Sequence, residues 1–191
     1  MTHVSIIGTG SMGTAIARIV TDGGNTVELL GREDAATAPE GDVVVLAVPY
    51  PSVEDVLAAH GDHLAGKVVV DITNPVDFET FDSLTVPADS SAAAQIADRL
   101  PRSRVLKAFN TTFAATISSG VVGPLPTTVL IAGDDDDAKA TLVDVVRAGG
   151  LRAIDAGGLR RAPELEALGF LQLTLAGGEK LPWTGGFGVV A

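Results

Sequence analysis

The residues with the most chemical content stand at the start of the chain. Gly8-Thr9-Gly10-Ser11-Met12-Gly13 sets three glycines at the spacing G-x-G-x-x-G, directly after the apolar run Val4–Ile7 and directly before a helical pattern over Thr14–Val20. Strand, glycine turn and helix in that order make a pyrophosphate site. Gly8 permits the tight turn out of the strand, Gly10 lets phosphate approach the backbone, and Gly13 lets the helix pack closely on the sheet. The free N–H groups and the positive end of the helix dipole then face the anion. A second apolar run, Thr26–Leu30, ends at Gly31-Arg32, where a dinucleotide fold inspects the adenosine ribose. An acidic residue there would accept from a free 2′-hydroxyl, whereas arginine suits a 2′-phosphate. Arg32 therefore points to NADP over NAD. Glu33 and Asp34 oppose a phosphate unless they turn outward, and Arg32 read by itself is also compatible with a solvated loop cation.

Ligands of an open α/β sheet lie at the carboxyl ends of its strands. Four such ends are expected, at Gly8–Met12, Ala47–Tyr50, Thr73–Pro75 and Phe109–Thr112. Ala47, Val48, Pro49 and Pro75 suit a rigid floor for a nicotinamide ring, because proline fixes the backbone and removes a donor. An X-Pro pair also simply ends a strand. Asn74 and Asn110 could each hydrogen-bond a carboxamide or a second substrate, or could each close a turn on its own backbone.

The remaining polar clusters read as structural. Asp134–Asp137 precedes a helix, where carboxylates cap N–H groups and complement the dipole rather than gather on a metal. None of His3, His60 and His63 is placed for acid–base work. Arg160-Arg161 precedes the last helix and pairs with Glu164 or Glu166, or else holds an anionic substrate tail. With no cysteine in the chain, thiolate chemistry, disulfides and a cysteine zinc site are excluded. No catalytic side chain and no metal site are expected. Hydride transfer fits that pattern, since it asks the protein mainly to hold two rings face to face.

The elements that must position these groups alternate regularly. Strands are expected at Asp42–Val48, Lys67–Ile72, Arg104–Phe109, Thr127–Ala132 and Leu151–Asp155. Helices are expected within Pro51–Leu64 and over Ser91–Leu100, Ala138–Ala148 and Glu164–Ala176, followed by a glycine-rich tail, Gly177–Ala191. This is an α/β chain with a Rossmann-type doubly wound parallel sheet and a small C-terminal helical extension. Residues 1–155 form the dinucleotide-binding domain, and 156–191 pack on it as part of one compact unit. The short stretch Glu33–Gly41 has no room for the helix and strand that complete such a half, so the sheet is expected to be trimmed after its second strand. The chain has 191 residues, 46% hydrophobic, and a net charge of −11. That charge argues against nucleic acid and anionic membranes as partners. No apolar run reaches spanning length and no leader pattern opens the chain, so a cytoplasmic location is expected.

GTGSMGTAIA, VVVLAVPY, DITNPV, KAFNTT, IAGDDDDAK and LRAIDAG followed by LRRAPELEALGFLQ together resemble the NADPH-dependent coenzyme F420 reductases along nearly the whole chain. The resemblance implies a homodimeric oxidoreductase with NADP and coenzyme F420 as cofactors, passing hydride between C4 of nicotinamide and C5 of the deazaflavin. By position it sets Thr9, Ser11 and Met12 at the pyrophosphate, Gly31 and Arg32 at the 2′-phosphate, and Pro49 and Asn74 at the nicotinamide. Asn110 and the tail around Trp183 and Phe187 lie toward the deazaflavin, the small-molecule acceptor. The chain departs from the family in having Gly31 for serine, Ala36 for a second basic residue, and no helix and strand after Arg32. The alternatives are a reductase of another small acceptor (flavin, imine or carbonyl) and a non-catalytic dinucleotide sensor.

Overall fold

A computed structural model describes residues 1–190; Ala191, the last residue of the expected tail, lies outside them. The chain runs β1 (His3–Ile7), α1 (Ser11–Asp22), β2 (Thr26–Leu30), β3 (Val43–Leu46), α2 (Val53–His60), β4 (Val68–Asp71), α3 (Ala92–Arg99), β5 (Arg104–Ala108), α4 (Ala114–Ser119), β6 (Val121–Val122), β7 (Leu125–Pro126), β8 (Thr128–Gly133), α5 (Asp136–Ala148), β9 (Arg152–Gly157) and α6 (Ala162–Gly177). Seven strands form one sheet in the order β2-β1-β3-β4-β5-β8-β9.

The alternation of side chains along each strand builds two cores. Val43 and Val45 face one layer with Ile6, Val70 and Leu106, against Ile16, Ile19 and Leu142 of α1 and α5. Val44 and Leu46 face the other with Ile7, Val69 and Val105, against Leu57 and Ile96 of α2 and α3. A strand buried on both faces reads as an unbroken apolar run, as VVVL does and as β4 does up to Asp71.

All neighbours are parallel except β5 and β8, which pair antiparallel with Leu106 opposite Gly133. The chain leaves β5 at the sheet's carboxyl edge, turns through α4 and the β6–β7 hairpin, and re-enters from that edge. No crossover intervenes, so β8 runs the other way. The sequence reading lacked α4, whose six residues Ala-Ala-Thr-Ile-Ser-Ser carry β-branched and hydroxyl side chains of modest helix propensity. The trimming is as expected. After β2 comes only a 3₁₀ turn over Arg32–Asp34, and β2 is the edge strand.

Candidate functional site

The glycine turn is built by close approach on one side and left open on the other. Gly8 has φ +121°, and a Cβ there would lie 2.1 Å from the Ala47 carbonyl oxygen; at Gly13 it would lie 2.0 Å from that of Gly8. Both positions are closed to any side chain. A Cβ on Gly10 would meet nothing within 4 Å, so this position opens toward a ligand. Gly10 also caps α1 without a side-chain bond, and no acidic residue stands in the first turn. Thr14 N–H donates to the Gly10 carbonyl at 2.9 Å. The N–H groups before it have no helical acceptor and stand ready for an anion. A pyrophosphate fits this cradle.

From the turn a cavity of about 590 Å³ runs between the ends of β1 and β2 and helix α2. It is lined by Gly8, Thr9, Gly10, Gly31, Arg32 and Pro49, with Ala47 and Val48. Ser11 is exposed and Met12 half-buried at the start of α1. Arg32 is exposed and makes no ion pair among the described residues. Asp34 turns back, its Oδ2 accepting from Gly31 N–H at 2.8 Å. Glu33 lies against Gly31, where a Cβ would come within 2.7 Å of its flexible carboxylate. His60 also lines this cavity, 4% exposed; the sequence reading gave it no place in the site. Burial, and then the charge of His63, hold its imidazole below the usual value, so it is neutral at pH 7.

The next two strand ends are joined rather than open. Asn74 Nδ2 donates to the Asn110 carbonyl at 2.9 Å, and Asn110 Nδ2 donates to Asn74 Oδ1 at 3.0 Å. Neither asparagine closes a turn on its own backbone. Pro75 is buried, its carbonyl accepting from Thr85 N–H and Oγ1. Phe109, with φ +62° and 1% exposed, makes the left-handed step that turns the chain into Asn110. Non-glycine residues in this region are uncommon and cluster at functional sites.

Beneath the asparagines lies a group that sequence reasoning did not find. Asp71, Lys107 and Glu166 are each 0% exposed. Lys107 Nζ donates to Asp71 Oδ2 at 2.7 Å and to the Thr73 carbonyl at 2.6 Å, and stands 2.9 Å from Glu166 Oε1. Glu166 also accepts from Ala92 and Ala93 N–H, capping α3. Burial raises its carboxyl above the usual value against the pull of Lys107. Tyr50 is raised by burial and then by Glu166 and Asp71; its hydroxyl donates to Gln95 at 2.6 Å. The available signal was the lysine inside the apolar strand RVLKA.

The tail reaches the same edge. The Trp183 ring rests on Phe113 with centroids 5.0 Å apart, and Phe187 N–H donates to the buried Gln172 side chain at 3.2 Å. Both rings remain about half exposed, 52% and 43%. Elsewhere, Arg161 pairs with Glu164 at 2.8 Å, while Glu166, the other expected partner, goes to Lys107. Asp135 caps α5, Asp134 accepts from Leu159 N–H, and Asp136 pairs with Lys139, so the acidic run is dispersed.

A profile of the family described as "NADP oxidoreductase coenzyme F420-dependent" matches residues 26–75. The F420-dependent NADP reductase of Methanocaldococcus jannaschii is 31% identical over 154 residues, covering 78% of this chain and 69% of the relative. The chain belongs to the F420-dependent NADP reductase family. The family that the sequence motifs suggested is therefore the one the comparison shows. The metalloreductase STEAP3 of Rattus norvegicus is 33% identical over 137 residues, 72% of this chain but only 26% of that protein. A crystal structure from Arthrobacter sp. FB24, provisionally named an F420-dependent NADP reductase, superposes over the full length of both chains with a TM-score of 0.85 at 24% identity, which shows the fold.

Proposed function

We propose that this chain is an oxidoreductase that passes hydride between NADP(H) and coenzyme F420. The observation that carries the reading is the open turn at Gly10, continuous with a cavity whose far rim holds the unpaired Arg32. Family membership supplies the acceptor.

In this reading Gly8, Thr9, Gly10, Ser11, Met12 and Gly13 hold the pyrophosphate, chiefly through backbone N–H groups. Gly31 and Arg32 receive the 2′-phosphate, with Asp34 kept away by its bond to Gly31. Ala47, Val48 and Pro49 carry the ribose and the near face of the nicotinamide; Asn74, with the buried Pro75 behind it, stands on the nicotinamide side beyond the residues that line the cavity. Asn110, Trp183 and Phe187 lie on the deazaflavin side. The chemistry that the two cofactors supply when bound is hydride exchange between C4 of nicotinamide and C5 of the deazaflavin. The protein's part is to align the rings and exclude water; no side chain acts as acid, base or nucleophile.

The acceptor side supports assembly as a homodimer. Helix α6 is apolar almost all round yet leaves Leu171 49% exposed, and the tail leaves Trp183 and Phe187 about half exposed. A helix of that composition is normally covered. Among the described residues no helix is long and apolar enough to cross a membrane, and the reading includes a cytoplasmic location. Residues 1–155 bind the dinucleotide, with the described residues from 156 to 190 packed on them as one unit. A second reading, reduction of a different acceptor, draws on the likeness to a metalloreductase and on the exposure of the tail aromatics. Titration of NADPH fluorescence, followed by loss of F420 absorbance on mixing, tests both. Binding and bleaching support the first reading. Binding with reduction of flavin or metal alone supports the second, and binding without any turnover leaves a sensor.

A further inference from the structure

The buried charges at the β4–β5–α6 corner close into a ring of hydrogen bonds with the asparagine pair. Lys107 Nζ donates to the Thr73 carbonyl, and Thr73 N–H donates to Asp71 Oδ1 at 2.8 Å, so the peptide groups on both sides of Thr73 are held. The next residue, Asn74, exchanges two bonds with Asn110. Asn110 Nδ2 donates in turn to the Leu165 carbonyl of α6 at 2.8 Å. One residue later Glu166 returns to Lys107. On the same helix face, a Cβ on Gly169 would stand 2.3 Å from Asn74 Oδ1, so α6 packs on the pair with no side chain between.

Two features separate this ring from ordinary core. A buried ion triad is usually no more stable than apolar residues of the same shape, so its presence asks for another reason. Among the described residues, Thr73 Oγ1 and Asn110 Oδ1 are the buried side-chain atoms left without a hydrogen-bond partner. Both belong to residues the ring holds in place. Unpaired buried polar atoms are rare, and they mark a place where geometry is held at some cost in stability.

We infer that Lys107 and Glu166 are positioning residues: they fix Asn74 and Asn110 against α6, so that the partly exposed Asn74 is held in place at the nicotinamide end of the dinucleotide. This rests on the proposed reading of Asn74 and Asn110 as nicotinamide and acceptor contacts. It adds that their placement is set by charges that touch neither ring.

The test compares NADPH with 2′-phospho-ADP-ribose, which lacks the nicotinamide and needs no acceptor. Lys107→Met strands two buried carboxylates and risks the fold. Glu166→Gln and Gly169→Ala break the ring by different means, one by replacing an acceptor with a donor, the other by steric intrusion. Expected for both folded variants is about a tenfold loss in NADPH affinity, the weight of one hydrogen bond, with 2′-phospho-ADP-ribose affinity unchanged within about twofold and kcat reduced more than the KM for NADPH is raised. Unchanged NADPH affinity in both variants, or a parallel loss of the fragment's affinity, would overturn the inference. Failure of the native chain to bleach F420 would instead count against the proposed function. The affinity comparison would still decide the role of the ring.

Discussion

The two ends of the proposed cofactor site are built in opposite ways. The pyrophosphate end is local, uncharged and open. Its groups come from one stretch, Gly8–Gly13, and it works by what is missing: a Cβ at Gly10, a cap on α1, an acidic residue in the first turn. The β4–β5–α6 corner is non-local, charged and closed. Asp71, Lys107 and Glu166 come from three distant parts of the chain, with no exposure at all. An anion that solvent can also reach is held by exposed donors on a rigid turn. A flat ring that must be set to a fraction of an ångström asks for neighbours locked from behind.

The sharpest way to break the comparison is at the lysine. Lys107→Met should destabilise the fold by about 3–5 kcal/mol, the usual result of stranding a buried partner charge, read from denaturant unfolding. A loss under about 1 kcal/mol would mean that the triad does not carry its charges as described. Gly10→Val should do the reverse. The fold persists, because the new side chain meets open space, while NADPH affinity falls about a hundredfold or more. Normal titration by this variant would show that the turn holds no pyrophosphate. Arg32→Ala should lower NADPH affinity by about 1.5–3 kcal/mol, roughly ten- to a hundredfold, and leave NADH affinity nearly unchanged. Equal losses for the two nucleotides would remove the 2′-phosphate from Arg32.

A smaller effect sharpens the charged end through pH. The folded Glu166 carboxyl is raised from its ordinary 4.5, chiefly by burial. The folded state therefore binds the proton more readily than the unfolded one, and stability falls as pH rises from about 4.5 through the folded value. Subtracting the Tm-versus-pH curve of Glu166→Gln from that of the native chain should isolate this downward slope. A difference that is flat or rises over that range would contradict it. The smallest effect concerns the histidines. His3→Ala, His60→Ala and His63→Ala should each leave turnover within about tenfold, since losing a true general acid or base costs 10²–10⁴-fold.

The same contrast decides what could be read from the chain. The glycine turn, the edge strand β2 and the early end of the sheet were legible because each depends on neighbours in sequence: G-x-G-x-x-G between strand and helix, and too few residues after Arg32 for another layer. The cap at Asp135 was legible for the same reason. Helix α4 was not, because its stability comes from packing of Ile117 into the core rather than from propensity. The antiparallel return of β8 depends on which edge the hairpin occupies, and that is not written in any window. The triad was hidden for the deeper reason that Lys107 inside RVLKA declares a partner without saying which one. Glu164 or Glu166 was expected to pair with Arg160-Arg161, and only the docking of α6 on β5 brings Glu166 to Lys107.

The central claim is direct hydride transfer between two bound cofactors, with the protein supplying alignment alone. Stopped-flow mixing of F420 with NADPH deuterated at the transferred C4 position tests it most directly. The account predicts F420 bleaching with a primary isotope effect in the native chain, and the same isotope effect in each histidine variant. A folded histidine variant that still binds NADPH yet is inactive would contradict it, as would F420 reduction that is indifferent to deuterium even in a single turnover.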